Sequence, residues 1–340
     1  MSTPGPDIDS DTRPNHDVVA VGNALVDVLS NESDELLGLL DLVKGTMAMV
    51  DHDLSDSIYA ALGPGVEASG GSAANTVAGV ASFGGRAAFV GRIGDDQFGQ
   101  VFAHDLAALG IAFDGAQAKA DGPTGRCLVI VTPDAERTMC TFLGVASALS
   151  PDDVPVTLID DARFTYLEGY LWDQPSAKEA FRAAAARAHQ AGRKVALTLS
   201  DPFCVDRHRV DFLDLISGEV DILFANDDEL RSLYEVDDLD TAVQKVRNHC
   251  EIAAVTCGAD GSVVVAGDDL FEVAAHPVEH VVDTTGAGDL YAAGFLYALS
   301  RGYDPVTAGR LGGLAASEVI SHLGARPEVS LADLAASILG

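Results

Sequence analysis

The feature that most constrains this chain is the run Asp283-Thr284-Thr285-Gly286-Ala287-Gly288-Asp289, leading into Leu290-Tyr291-Ala292-Ala293-Gly294-Phe295-Leu296. Upstream, residues 278–282 read as a short apolar strand; downstream, residues 290–299 are apolar enough for a buried helix. A strand that turns through two glycines into a helix aims free backbone N–H groups at one point, with the helix dipole behind them. That is an anion site. An aspartate at its edge suits the anion poorly unless the carboxylate has a chemical task. A general base beside a transferring phosphoryl group reconciles the two. Taken alone, the heptapeptide reads equally well as a glycine-rich turn whose Asp289 caps the helix.

Such a site must work against the rest of the chain. Among 340 residues there are 52 acidic and 21 basic, for a net charge of −31. This argues against nucleic-acid or anionic-membrane partners, which need a basic footprint. The acidity is spread along the chain and reads as a solvated surface, so an anionic ligand requires a strongly local site. With 48% apolar residues the chain can bury an ample core. No apolar run reaches the roughly 18–20 residues that cross a bilayer. Residues 1–16 are polar, acidic and proline-containing, and are expected to be a disordered leader and not a signal peptide. The five cysteines (Cys127, Cys140, Cys204, Cys250 and Cys257) show no Cys-x-x-Cys spacing. Reduced thiols in a cytoplasmic protein fit that pattern.

From residue 17 to 340 one α/β domain is expected. Strands at 18–22, 87–90, 164–167, 195–199, 221–224 and 252–256 alternate with helices, among them 176–191, 227–234 and 241–249. That rhythm predicts a parallel sheet wrapped by helices. Two short strands at 262–265 and 270–273 precede the glycine turn, and a helix at 305–321 closes the chain. Segments of about 28–50 and 112–146 break the rhythm. The second holds a hairpin signal, residues 128–131 and 137–142 around Thr132-Pro133-Asp134-Ala135-Glu136. Together they are expected to form a small β lid, a device that keeps water from phosphoryl transfer.

The heptapeptide resembles, residue for residue, the second signature of the ribokinase-like (PfkB) carbohydrate kinase family. Gly91-Arg92-Ile93-Gly94-Asp95-Asp96-Gln97-Phe98-Gly99 is similar to that family's first signature, where Asp96 is read as ordering the turn and capping a helix. Gly70-Gly71-Ser72-Ala73-Ala74-Asn75 resembles its sugar-binding Gly-Gly-x-x-x-Asn. Asn226-Asp227-Asp228-Glu229 resembles its Asn-x-x-Glu, and Thr256-Cys257-Gly258-Ala259-Asp260-Gly261 its nucleotide-binding Thr-x-Gly-x-x-Gly. The resemblance spans residues 18–324 and implies a three-layer α/β/α domain with a central, mainly parallel sheet plus the lid. Neither a Walker A motif, Gly-x-Gly-x-x-Gly nor His-Arg-Asp occurs, which excludes P-loop and protein-kinase readings.

Within the family, three stretches resemble the adenosine-kinase branch. They are Gly22-Asn23-Ala24-Leu25-Val26-Asp27, Asp221-Ile222-Leu223-Phe224-Ala225-Asn226 and Leu199-Ser200-Asp201-Pro202-Phe203. The lid segment Pro123-Thr124-Gly125-Arg126-Cys127 is similar to that branch as well, with Arg126 as the departure. The resemblance implies ATP-dependent phosphorylation of a nucleoside 5′-hydroxyl, adenosine first, with Asp289 as base and Gly286, Ala287 and Gly288 forming the anion hole. Asn23, Asp27, Gly70, Gly71 and Asn75 are then expected at the ribose. Phe203 is expected over the base, where its bland alternative is core packing. Asn226, Thr256, Gly258 and Gly261 are expected at ATP, and Asn226 with Glu229 at Mg²⁺ through water. Asp283 and Thr285 match residues that hold a monovalent cation in related kinases, so K⁺ activation is a further expectation. A free-sugar kinase (ribose or fructose type), an inosine or guanosine kinase and a non-catalytic sensor are the alternatives. Monomer and homodimer both remain open.

Overall fold

The computed structural model describes residues 14–339 except 116, 117 and 135. The first part of the chain runs β1 (His16–Val21), β2 (Leu25–Asn31), α1 (Asp34–Leu39), β3 (Met47–Met49), α2 (His52–Ala61), β4 (Val66–Gly70), α3 (Ser72–Ser82), β5 (Ala87–Val90), β6 (Ile93–Gly94) and α4 (Gln97–Ala108). It continues through β7 (Lys119–Ala120), β8 (Gly125–Val131), β9 (Arg137–Phe142), α5 (Val156–Asp160), β10 (Ala162–Glu168), α6 (Pro175–Gln190), β11 (Lys194–Thr198) and α7 (Pro202–Gly218). The last part holds β12 (Ile222–Asn226), α8 (Asp227–Tyr234), α9 (Leu239–Val246), β13 (Ile252–Thr256), β14 (Ser262–Ala266), β15 (Asp269–Val273), α10 (Ala287–Ser300), α11 (Pro305–Val319) and α12 (Leu331–Leu339).

Eight strands form the main sheet in the order β15-β14-β13-β12-β11-β10-β1-β5. The pairs from β5 to β13 are parallel, and β14 and β15 add an antiparallel edge. Its strands read as continuous apolar runs because both faces are covered. On β1, Val18 and Ala20 enter one core while Val19 and Val21 enter the other. The first core also takes in side chains of α3, α4, α10 and α11, the second those of α6, α7, α8 and α9. This is the ribokinase-like three-layer α/β/α arrangement.

A second, five-stranded sheet has the order β3-β9-β8-β2-β4. β8 and β9 form the hairpin, β2 pairs with β8 in parallel, and β4 pairs antiparallel with β2. β4 lies outside the two segments expected to build a lid, yet it carries Gly70 at its end.

Several readings need correction. Residues 1–13 of the expected leader lie outside the described residues. The expected boundary at 16 is late, because His16 opens β1 and the Asn15 N–H donates to the Asp161 carboxylate at 2.9 Å. Residues 278–282 are not a strand: Val281 and Val282 are 58% and 50% exposed. β15 is the sheet edge, and the chain leaves it to cross towards α10, held where the Val282 N–H meets the Ile320 carbonyl at 2.8 Å. Five helices went unread: α1, α2, α5, α7 and α12. α7 starts at an Asp-Pro pair in which the Asp201 side chain caps the Cys204 N–H at 2.7 Å.

Candidate active site

The carboxyl ends of β1, β10, β11, β12 and β13 open into one cavity of about 1510 Å³, roofed by side chains of the second sheet. Ligands of open α/β sheets bind at this end. Asp289 sits in the first turn of α10, behind Gly286, whose φ of +80° sets the left-handed turn. A Cβ on Gly286 would also stand 2.8 Å from the Ala325 Cβ. Both demands select glycine.

Small residues on α3 let it lie against α10: a Cβ on Gly79 would come within 2.6 Å of the Ala293 Cβ. That close packing brings the head of α3 to Asp289. The Ser72 hydroxyl donates to one Asp289 oxygen at 2.6 Å and the Asn75 amide to the other at 3.0 Å. Burial pushes the Asp289 carboxyl up from its ordinary value, and these two donors oppose the shift. The Ala287 N–H closes a turn on the Thr284 carbonyl at 3.2 Å. Of the residues expected to form an anion hole, Ala287 therefore has its N–H occupied, while the N–H groups of Gly288 and Asp289 at the helix head have no intrahelical acceptor.

Next to Asp289 lies an acceptor wall. Asp27 on β2 is desolvated to about 6; Asp289 adds to the rise, while Arg326 and Arg137 work against it. Gly70 does not line the cavity but stands behind it, where a Cβ would fall 2.2 Å from the Asp27 carboxylate. Asn23 and Asn75 line the wall with side-chain oxygens that are buried and have no partner. An unpartnered buried acceptor is costly, and a ligand hydroxyl would satisfy it.

Sequence reasoning missed Glu168, at the end of β10 and only 1% exposed. It accepts from the Asn23 amide at 2.7 Å and from the Ala73 N–H at 2.9 Å, and burial raises it to about 7. An isolated Glu at a strand end gives no periodic signal. The one trace was Gly22, where a Cβ would stand 2.4 Å from the Glu168 carboxylate.

Phe203 is not in the core. It lines the cavity from the first turn of α7 and is 76% exposed. At the far end, Asn226 and Thr256 are register partners on β12 and β13. Asn226 and Glu229 form a reciprocal capping box. Glu229 is raised to about 7 by burial and then by Asp201, Asp228 and Asp227. Gly258 and Gly261 follow with φ of +57° and +94°. Among the described residues there is no cluster of three His, Cys, Asp or Glu side chains able to cage a metal. The oxygen donors around Glu229 nonetheless fit Mg²⁺, which keeps its own waters and needs few protein ligands.

The expected monovalent-cation residues do not fit one. The Asp283 carboxylate accepts from the Thr285 N–H (3.1 Å), the Thr285 hydroxyl (2.8 Å) and the Gly324 N–H (2.9 Å). It is also paired with the Arg137 guanidinium of β9 at 2.7 Å. Its lone pairs are taken, and a positive charge already stands there.

Residues 51–331 carry the pattern of the pfkB family carbohydrate kinase. The structure is similar to that of an adenosine kinase from Sinorhizobium meliloti, with 48% identity, a TM-score of 0.87, and 95% of this chain and 99% of that one covered. It is similar to a probable sugar kinase from Rhizobium etli, with 46% identity, a TM-score of 0.88, and 95% and 98% covered. An ATP-dependent ribose-1-phosphate kinase of Halopiger xanaduensis is 32% identical over 68% of this chain and 73% of its own. With an aspartate and a helix head at the carboxyl ends of a parallel sheet, and that pattern over most of its length, this chain belongs to the PfkB family of sugar and nucleoside kinases.

Proposed function

We propose that the protein transfers the γ-phosphoryl group of ATP to the 5′-hydroxyl of a purine nucleoside, with adenosine the favoured acceptor. The observation that carries the nucleoside reading is Phe203, an aromatic side chain 76% exposed on the cavity wall. A nucleobase stacks on such a face with its whole ring for roughly 1–3 kcal/mol, more than the C–H edge of a small free sugar can cover. The ribose then lies against Asp27, whose carboxylate accepts its hydroxyl protons together with the unpartnered oxygens of Asn23 and Asn75.

Asp289 takes the proton of the attacking hydroxyl. Burial raises its basicity, which strengthens it as a proton acceptor, and the Ser72 and Asn75 donors fix its orientation. The N–H groups of Gly288 and Asp289 meet the charge on the transferring group. Asn226, Thr256, Gly258 and Gly261 border the nucleotide end of the cavity. Asn226 and Glu229 would hold the waters of a nucleotide-borne Mg²⁺, which supplies charge neutralisation to the phosphates. Asp27, Asn23 and the α3 head orient the acceptor, and the second sheet acts as the lid that excludes water. All five cysteines are free, which supports a cytoplasmic setting.

The test is ADP release by purified protein with ATP and Mg²⁺, offering adenosine, inosine, guanosine, ribose and fructose side by side. Adenosine is expected to give the highest kcat/KM. Turnover confined to a free sugar would overturn the nucleoside reading while leaving the kinase in place.

A further inference from the structure

The segment Gly324-Ala325-Arg326, between α11 and α12, joins parts of the cavity that are remote in sequence. Gly324 donates to Asp283, Ala325 packs under Gly286, and the Arg326 guanidinium donates to the Ser69 carbonyl at 2.9 Å and its hydroxyl at 3.2 Å. Ser69 is gripped from its other side, where its N–H donates to Asp105 of α4 at 2.8 Å. It is the last residue before Gly70-Gly71, where β4 of the second sheet turns into α3. On that hinge depend Gly70, which abuts the Asp27 carboxylate, and Ser72 and Asn75, which hold Asp289.

Arg326 is only partly buried, yet its Nε and Nη1 are shut off from solvent with no partner. The charges facing it are Asp27 from β2, Asp105 from α4 and Asp289 from α10. Arg137 of β9 is the other cation that acts on Asp27. A desolvated guanidinium costs stability unless carboxylates surround it. Here they belong to the acceptor wall.

Resting on the kinase reading above, we propose that Arg326 is a positioning residue for the acceptor: its guanidinium fixes the Ser69 hinge and, with its Nε and Nη1 buried, serves as countercharge to the acceptor wall. It touches neither substrate nor base, and acts through Ser69 and Asp27. Because Arg326 opposes the desolvation of Asp27, removing its charge moves the Asp27 titration further upward. Acceptor binding that needs the ionised carboxylate then fails at a higher pH.

The experiment is the pH profile of acceptor kcat/KM from pH 5.5 to 8.5 for wild type, Arg326→Gln and Arg326→Lys. Gln keeps a donor for Ser69 and loses the charge; Lys keeps the charge. In Arg326→Gln the acid limb is expected to rise by about one pH unit from about 6, with KM up roughly 8-fold at pH 5.5, only about twofold at pH 7, and kcat changed much less. Arg326→Lys should return the limb to its wild-type position. A limb that stays in place in Arg326→Gln, or that moves equally in Arg326→Lys, overturns the proposal. Adenosine binding without nucleotide, followed by calorimetry over the same range, reads the shift without turnover. The wild-type acceptor panel reports separately on the kinase reading. If Arg326→Gln does not fold, the Lys variant decides: a displaced limb with the charge retained overturns the electrostatic role.

Discussion

The two ends of the cavity are built on opposite plans. At the proposed acceptor end side chains hold one another, Asp289 by Ser72 and Asn75 and Asn23 by Glu168, and the Asn23 and Asn75 oxygens are left to a ligand. At the nucleotide end Gly258 is exposed, and a Cβ on Gly258 or Gly288 would meet nothing within 4 Å. The first end is preorganised by side chains packed against one another, the second by open glycine backbone beside the Asn226–Glu229 capping box. That division suits the proposed reaction. Discrimination between acceptors needs fixed hydroxyl partners, while a polyphosphate needs room and N–H groups.

The largest test of this contrast is Asp289→Asn. A fixed base that is also spatially held should lose kcat by roughly 10²–10⁴ while still binding acceptor, because Ser72 and Asn75 keep the amide in place. Stopped-assay turnover beside calorimetric binding checks it. Retention of kcat within about 10-fold would show that the acceptor end orients without supplying the base.

The contrast was only half legible in the sequence. Contiguous motifs announced the backbone devices: the glycine turn before α10, the Gly70-Gly71 hinge and the capping box at Asn226. The alternation of apolar runs with helices announced a parallel sheet, since each run is buried on both faces, but not the order of its strands. What could not be read were contacts across long sequence separations. Glu168 meets Asn23 over 145 residues, and Arg326 reaches Ser69 over 257. No local spacing encodes such pairs. The false strand at 278–282 fails for a related reason: its valines promise a ladder, but the sheet edge is already passed. Phe203 shows the opposite case. Its placement in a cavity depends on α7, whose Asp-Pro start was present in the sequence and went unread.

Glu168 sharpens the contrast through pH. Its carboxyl rises from an ordinary 4.5 to about 7 because it is buried, against the two bonds from Ala73 and Asn23. A carboxyl whose folded value is raised stabilises the fold below its unfolded value, and that contribution is lost as pH climbs through the folded one. The acceptor end should thus weaken between pH 4.5 and about 7. Glu168→Gln removes the dependence, since the unpartnered Asn23 oxygen can turn to accept from the new amide. Thermal unfolding should show the variant gaining on wild type by up to roughly 3 kcal/mol at pH 8 and not at pH 4.5. An equal effect at both values would mean that Glu168 is not held as described.

Phe203→Ala tests the only aromatic face proposed for the base. With 76% of the residue exposed, unfolding should change by less than about 0.5 kcal/mol. Nucleoside KM should rise about 5- to 100-fold, while a free sugar, if turned over at all, should be indifferent. Parallel loss for both acceptors would move Phe203 from base recognition to cavity shape.

The smallest expected effect is also the most diagnostic of how the two ends meet. Arg137 enters from the second sheet and pairs with Asp283 at the foot of the anion turn, 2.7 Å away. With Thr285 and Gly324 filling the remaining places, the carboxylate offers nothing to an alkali ion. Turnover in potassium chloride and in tetramethylammonium chloride at equal ionic strength should therefore agree within about twofold, a difference below roughly 0.5 kcal/mol in barrier. Activation beyond that by K⁺ would mean that Arg137 withdraws from Asp283 during the cycle. The anion turn would then be completed by an ion from solution, and the backbone-built end would be less self-sufficient than its geometry implies.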